Sequence, residues 1–386
     1  MFQSELVKRF INLSTPFYYY DLDILEKNLL NLKNSLKPFN KVHFSVKSNT
    51  NPRILSVIKN FNLGIDAVSA NEIKHCINLG FTPRDIVFAG VGKSDEEIEY
   101  GIINNISYFN VESLQELEVI DSISKKFSKK TTVSIRINPN IKSETHKKIQ
   151  TGSSDDKFGI DLKDISHIPK LRKLENINIT GLHFHIGSQI INLKPFHDLC
   201  KISNEILNYL RENDIKIKNI NVGGGLGIDY EYPEKNLLSN FKEFISLFNN
   251  QIRLDKNQSI HFELGRSIVG QCGFLISKIL YSKKSYDKNF LILDSGMNNL
   301  IRPALYNSKH KISNLTSKNS DHLNYDVAGP ICESSDTFAK DYRLVKSIRG
   351  DLIAIHSCGA YAESMSSNYN LRDNINSYYS DTILYI

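Results

Sequence analysis

Between residues 41 and 264 the chain repeats one pattern eight times: a short apolar or β-branched run, usually followed by a stretch with helical spacing. The runs lie at 41–46, 64–69, 86–90, 108–111, 132–138, 179–186, 217–222 and 259–264. Between them, segments such as 95–103, 114–124 and 196–210 carry apolar residues at helical period. A helix after each strand carries the chain back, so that successive strands run parallel. Eight such units favour a closed (β/α)8 barrel, and periodicity alone leaves a doubly wound open sheet as the alternative. After about residue 266 the texture changes to strand-like runs at 274–281, 290–294, 325–329 and 351–356, with few helical patterns. We therefore expect an α/β chain with an N-terminal TIM-like barrel over 23–265 and a mostly-β domain over 266–386 joined by 1–22. The run Pro16-Phe-Tyr-Tyr-Tyr-Asp-Leu22 suits a strand of that second domain's sheet.

At 386 residues the chain is long enough for both parts. Its 48 basic and 42 acidic residues leave a formal charge of +6, with lysines scattered rather than clustered. That pattern is a solvated face and not a nucleic-acid surface. Five widely spaced cysteines, none in a Cys-x-x-Cys pair, suggest neither a disulfide framework nor a zinc site, and no metal is expected. Glu5, Lys8 and Arg9 interrupt any apolar start, so we expect a cytoplasmic protein without a leader or a membrane span.

In a barrel of this kind chemistry collects at the C-terminal ends of the strands. Those ends offer Lys47, then Asp66, Ser69, Gly90, Glu112 and Asn138, then His185, Ser188, Gly223-Gly-Gly225 and Glu263-Leu-Gly-Arg266. A lysine at the end of a buried strand is penalised as an ammonium, which suits an amine that bonds a carbonyl carbon; alone it would more often be a surface lysine. The glycine turn lets backbone N–H groups approach a phosphate, or is simply a tight connection. Glu263 can accept from a protonated pyridine nitrogen, or pair with Arg266; His185 can stack on the same ring, or be a satisfied core histidine. Lysine, phosphate turn and ring-nitrogen carboxylate together are the contacts pyridoxal phosphate needs. The second domain adds Arg302, Tyr306, Cys332, Glu333 and Tyr361. Arg302 suits a carboxylate and Glu333 an ammonium, and Cys332 beside Glu333 is a candidate acid or an inert thiol.

In these stretches the chain resembles the pyridoxal-phosphate decarboxylases of the alanine-racemase-like fold. The resemblance is carried by Phe44-Ser-Val-Lys-Ser-Asn, Asp66-Ala-Val-Ser, Phe88-Ala-Gly-Val-Gly-Lys-Ser-Asp-Glu-Glu-Ile, Arg136-Ile-Asn-Pro, Thr145-His and Thr151-Gly. It continues in Lys157-Phe-Gly-Ile, Gly181-Leu-His-Phe-His-Ile-Gly-Ser-Gln, the Gly223 turn, the Glu263–Arg266 run, and the runs at 297–306, 329–334 and 356–365. It implies decarboxylation of meso-2,6-diaminopimelate to L-lysine and carbon dioxide, the last step of lysine biosynthesis. Same-fold action on ornithine, arginine or carboxynorspermidine, a racemase, and a silent cofactor-binding regulator are the rivals.

By that resemblance Lys47 holds the cofactor covalently, and His185 stacks on its ring. Gly223, Gly224, Gly225, Glu263, Leu264, Gly265 and Arg266 bind phosphate and ring, with Ser188 assisting. Arg266, Arg302, Tyr306 and Glu333 grip the substrate, Tyr361 touches both, and Cys332 donates a proton from the second subunit of a homodimer. The chain departs from the family in three places: Leu264 where proline is usual, Ala70-Asn71 for a glycine pair, and Ser45 and Ser48 for alanine. None of these removes a reacting group. The sequence leaves open whether the polar stretch 142–156 acts as a lid.

Overall fold

The computed structural model describes residues 2–141, 151–152 and 156–383. The Thr145-His motif and most of the stretch 142–156 lie outside the described residues. The chain divides into two compact units.

The first unit comprises Leu29–Gly227 and Asn240–Gly265. Its strands are Asn40–Ser45, Gly64–Ala67, Ile86–Phe88, Tyr108–Val111, Thr131–Asn138, Ile177–His183, Asn219–Asn221 and Ser259–Leu264, each inside or beside an expected run. Each pairs in parallel with its neighbours. The last closes on the first, with Ile260 opposite Asn40 and Leu264 opposite Phe44. Closure rules out the open-sheet alternative. A short extra strand, Ile160–Asp161, lies beside Thr131–Asn138.

Three of the strand-to-helix turns share one local device. Ser69, Ser94 and Ser113 each cap a helix by accepting from the backbone N–H three residues on, at Glu72, Glu97 and Glu116. Glu72 and Glu116 then reach back to accept from the N–H groups of Val68 (2.8 Å) and Glu112 (2.7 Å), tying each helix start to the strand end before it. Phe44, Ile65, Val87, Phe109, Ile135, Leu182 and Phe262 are buried in these strands. Each contributes roughly 1.5–3 kcal/mol on burial.

The second unit comprises Met1–Asn28, Ile228–Ser239 and Arg266–Ile386. Its central strand, Gly273–Ser285, pairs antiparallel with Phe17–Tyr20, Lys288–Leu293 and Leu352–Ile355. The tyrosine-rich run is therefore a strand of this sheet, and it also pairs in parallel with Asn376–Tyr379. Phe10, Phe17, Tyr19, Phe274, Ile276 and Leu352 form a core on one face.

The expected boundaries, 23–265 and 266–386, differ from these units in two segments. Ile228–Ser239, which the sequence assigns to the barrel, belongs to the second unit, as does the chain up to Asn28. The reason is polar pairing that strand periodicity does not report. The Asn28 amide donates to the carbonyls of Ser267 (2.7 Å) and Ile268 (2.8 Å) and accepts from the Ser239 N–H (3.1 Å). The Gln271 amide donates to the Asp229 carbonyl at 2.9 Å. Among the described residues no helix is long and apolar enough to cross a membrane.

Candidate active site

In the barrel, Lys47 sits in a single turn, Val46–Ser48, directly after the first strand. Its Nζ donates to Asp66 Oδ2 at 3.1 Å, and its side chain is 38% exposed while that of Asp66 is fully buried. This differs from the expectation of an amine disfavoured chiefly by desolvation: the turn lifts the side chain partly into solvent and a carboxylate faces it. The Ser45 hydroxyl donates to the same Asp66 oxygen at 2.9 Å.

Glu263, near the end of the last strand, is buried and held by three other strands. Its Oε1 accepts from the side-chain amides of Asn110 (2.9 Å) and Asn221 (2.8 Å), and its Oε2 accepts from His183 Nε2 (2.9 Å). Burial by itself raises a carboxyl pKa, yet the His183 donor and the Lys47 charge outweigh it and hold Glu263 well below the usual range. A carboxylate offers about four lone-pair directions. Three are taken among the described residues, which leaves one for a further donor.

The glycine turn follows the seventh strand. Gly223 and Gly225 have φ of +71° and +105°, and a Cβ on Gly224 would fall 1.9 Å from the Glu263 carbonyl oxygen. No other residue fits there without moving the last strand. The Gly224 N–H donates to His185 Nδ1 at 3.2 Å, so the proton of the neutral ring sits on Nε2. Burial, followed by the charges of Arg136 and Lys47, keeps the His185 pKa well below its ordinary value, which preserves a neutral ring suited to stacking. Ser188 lies half-buried beyond His185. Leu264 is buried in register with Phe44, and Gly265 approaches Ser48 so closely that a Cβ would lie 2.8 Å from its hydroxyl.

Glu112 and Asn138 are also strand-end candidates, and Asn138 Oδ1 accepts from the Asn140 N–H at 3.0 Å. Glu112 is a structural partner: it accepts from Arg136 Nη1 at 2.7 Å and from the Gly159 N–H at 2.8 Å.

A second cluster lies wholly in the other unit. The Arg266 guanidinium donates to the Tyr230 hydroxyl at 2.6 Å and stacks 4.8 Å from the Tyr361 ring centroid. Arg302 begins a short helix, Arg302–Tyr306, and its guanidinium lies 4.6 Å from the centroid of the same Tyr230. Arg302 also donates to His310 Nε2 at 3.0 Å, while His310 Nδ1 donates to the His356 carbonyl at 2.8 Å. Burial, then the Arg302 charge, pushes the His310 pKa down to about 3, so this histidine is a neutral acceptor. Both arginines are buried. Arg302 makes no ion pair among the described residues, and its Nε has no hydrogen-bond partner there. Two buried guanidinium groups thus share one aromatic ring, and each is a planar fork of the kind that pairs with carboxylates. Tyr306 and Tyr361 are half-buried.

Cys332 and Glu333 are exposed. Their loop is braced by its neighbour: the Cys332 N–H donates to Asn370 Oδ1 at 3.2 Å, and the Tyr369 hydroxyl donates to Glu333 Oε1 at 2.6 Å.

Residues 22–270 match the pyridoxal-binding domain of the pyridoxal-dependent decarboxylases. A diaminopimelate decarboxylase of Bacteroides thetaiotaomicron is 46% identical over 381 residues, covering 98% of both chains. The chain belongs to the pyridoxal-dependent decarboxylases. One of Helicobacter pylori is 41% identical over 361 residues, covering 93% of this chain and 88% of that one. The crystal structure of a Helicobacter pylori diaminopimelate decarboxylase complexed with L-lysine superposes with a TM-score of 0.91 at 38% identity, covering 97% and 93% of the two chains.

The cofactor of this decarboxylase is pyridoxal phosphate, and the barrel fits it. Glu263 keeps one lone-pair direction open and the Lys47 amine is partly exposed, the acceptor and amine that a ring N–H and an aldehyde call for. In the glycine turn the Gly223 and Gly224 N–H groups already donate to Asn221 Oδ1 (2.9 Å) and His185 Nδ1 (3.2 Å). Several contributors to this decarboxylase's two clusters escaped the sequence reading: Asn110, Asn221 and His183 around Glu263, and Tyr230, His310 and Tyr369 in the second unit. His183 lies inside a quoted motif, two residues before His185, and its place at the end of the strand Ile177–His183 was the available signal.

Proposed function

We propose that the chain is a diaminopimelate decarboxylase, which converts meso-2,6-diaminopimelate into L-lysine and carbon dioxide at the end of lysine biosynthesis. The observation that carries this reading is the likeness to a diaminopimelate decarboxylase at 46% identity over 98% of the chain. Bound pyridoxal phosphate supplies an electron sink for the electron pair left when carbon dioxide departs.

The chain's own residues divide the remaining work. Lys47 Nζ would anchor the cofactor, the Gly223–Gly225 turn and Ser188 would hold its phosphate, and His185 would stack on its ring. Glu263 would accept from the ring nitrogen, with Leu264 and Gly265 shaping the strand end. Arg266 and Arg302, aligned by Tyr230 and Tyr361, bind carboxylate, and Tyr306 lines the same group. Glu333 binds the distal ammonium, and Cys332 Sγ gives its proton to the α-carbon that has lost carbon dioxide. We assign Cys332 and Glu333 to the site of a partner subunit in a homodimer, in keeping with their exposure in a single chain. The partner molecule is a small amino acid and not a nucleic acid. All five cysteines are free thiols, in keeping with a cytoplasmic enzyme.

The test is purified protein with pyridoxal phosphate, incubated separately with meso-diaminopimelate, ornithine and arginine. L-Lysine from diaminopimelate alone is expected. Product from ornithine or arginine instead would overturn the substrate and with it the roles of Arg302 and Glu333. No product beside a bound cofactor chromophore would favour a silent regulator.

A further inference from the structure

Asp66 is a buried carboxyl that the roles above leave unused. It meets the Lys47 amine and the Ser45 hydroxyl at one oxygen, Oδ2, at 3.1 and 2.9 Å. Its other oxygen, Oδ1, is buried and has no hydrogen-bond partner among the described residues. A buried carboxylate oxygen without a donor is poorly compensated, which disfavours the ionised form.

We propose that Asp66 is the proton acceptor for the Lys47 ammonium, and that the Ser45 hydroxyl sets how far that proton moves. The proposal rests on the reading that Lys47 anchors the cofactor. An amine adds to a carbonyl carbon only through an unprotonated nitrogen. In the step, one Nζ–H bond of Lys47 breaks, its electron pair stays on nitrogen, and an O–H bond forms at Asp66 Oδ2. The pair passes from ammonium and carboxylate to amine and carboxylic acid with no change in total charge. Ser45 opposes the transfer, because its donated hydrogen bond stabilises the carboxylate at the receiving oxygen.

The surroundings push in the same two directions. Burial and the nearby Glu263 carboxylate raise the Asp66 carboxyl, while Lys47 and Ser45 draw it back. Glu72, on the helix after Ser69, adds a further carboxyl within electrostatic range, and the buried Tyr108 hydroxyl also feels Asp66. His185 faces Lys47 as a neutral ring. A merely structural ion pair would keep the proton on Lys47. A proton shared within the pair instead makes the fraction of neutral amine independent of pH between the two macroscopic titrations.

The experiment uses the full chain stripped of pyridoxal phosphate and acetylated with acetic anhydride over a pH series. The Lys47 peptide is quantified by mass spectrometry, with the exposed Lys8 as internal reference. For the unsubstituted chain, the Lys47 rate is expected to level into a plateau around neutral pH while Lys8 climbs steadily. Asp66→Asn is expected to abolish the plateau and leave a single tenfold-per-unit rise. Ser45→Ala is expected to raise the plateau about tenfold, the effect of one hydrogen bond to a charged group. A steady rise for the unsubstituted chain, or a Ser45→Ala profile that superimposes on it, would overturn the proposal even if Asp66→Asn fails to fold. Borohydride reduction of the loaded protein tests the underlying reading separately. Cofactor mass on a peptide other than that of Lys47 sinks the anchor assignment, whereas cofactor on Lys47 without a plateau sinks only the Asp66 proposal.

Discussion

The carboxylate at the centre of the barrel and the carboxylate of the Cys332–Glu333 loop are built on opposite plans. Glu263 is buried and takes three side-chain donors from three strands, all between 2.8 and 2.9 Å. Glu333 is exposed, and its loop is braced by two bonds from the adjacent Tyr369–Asn370 turn. A closed barrel converts backbone register into side-chain geometry, so its polar centre is organised before any ligand arrives. A loop has no such register and depends on whatever later packs against it.

The largest effect that would sharpen this contrast is on stability in the barrel. Glu112→Gln leaves the buried Arg136 guanidinium short of its charged partner, and should cost about 3–5 kcal/mol. Urea unfolding measures it, and a loss below about 1 kcal/mol would mean the barrel's polar belt adds little rigidity. On the loop the balance should reverse. Cys332→Ala is expected to lower kcat at least roughly a hundredfold while leaving cofactor binding and the melting temperature unchanged, since the thiol is exposed. Unaltered turnover would remove the cysteine from the reaction. The smallest effect is expected from Tyr369→Phe, which deletes the brace on Glu333. KM for meso-diaminopimelate should rise roughly three- to tenfold with kcat preserved. An equal fall in both parameters' ratio through kcat alone would move Tyr369 from substrate binding to chemistry.

The strands and their chemistry-bearing ends were legible because a strand announces itself over four to eight residues and a lysine or glycine turn at its end is local information. Lys47, the Gly223 turn and Glu263 could all be found that way. Their partners could not. Asn110 and Asn221 read as ordinary strand residues until barrel closure brings both amides to the same Glu263 oxygen, from 153 and 42 residues away. The desolvated lysine expected at the strand end is instead partly exposed and paired, because a turn follows the strand and Asp66 arrives from the next one. The same holds for Ile228–Ser239, whose attachment to the second unit rests on amide contacts from Asn28 and Gln271.

By itself the sequence determined the alternation of strands and helices, the change to a sheet domain near residue 266, and which residue types stand at the strand ends. These follow from side-chain periodicity and turn chemistry, which act over a few residues. Tertiary structure alone decided that the sheet closes, that three donors meet on Glu263, that Tyr230 carries two buried guanidinium groups, and that Asp66 faces Lys47. Those outcomes depend on register between distant segments, where shifting a strand by one residue turns every side chain to the other face.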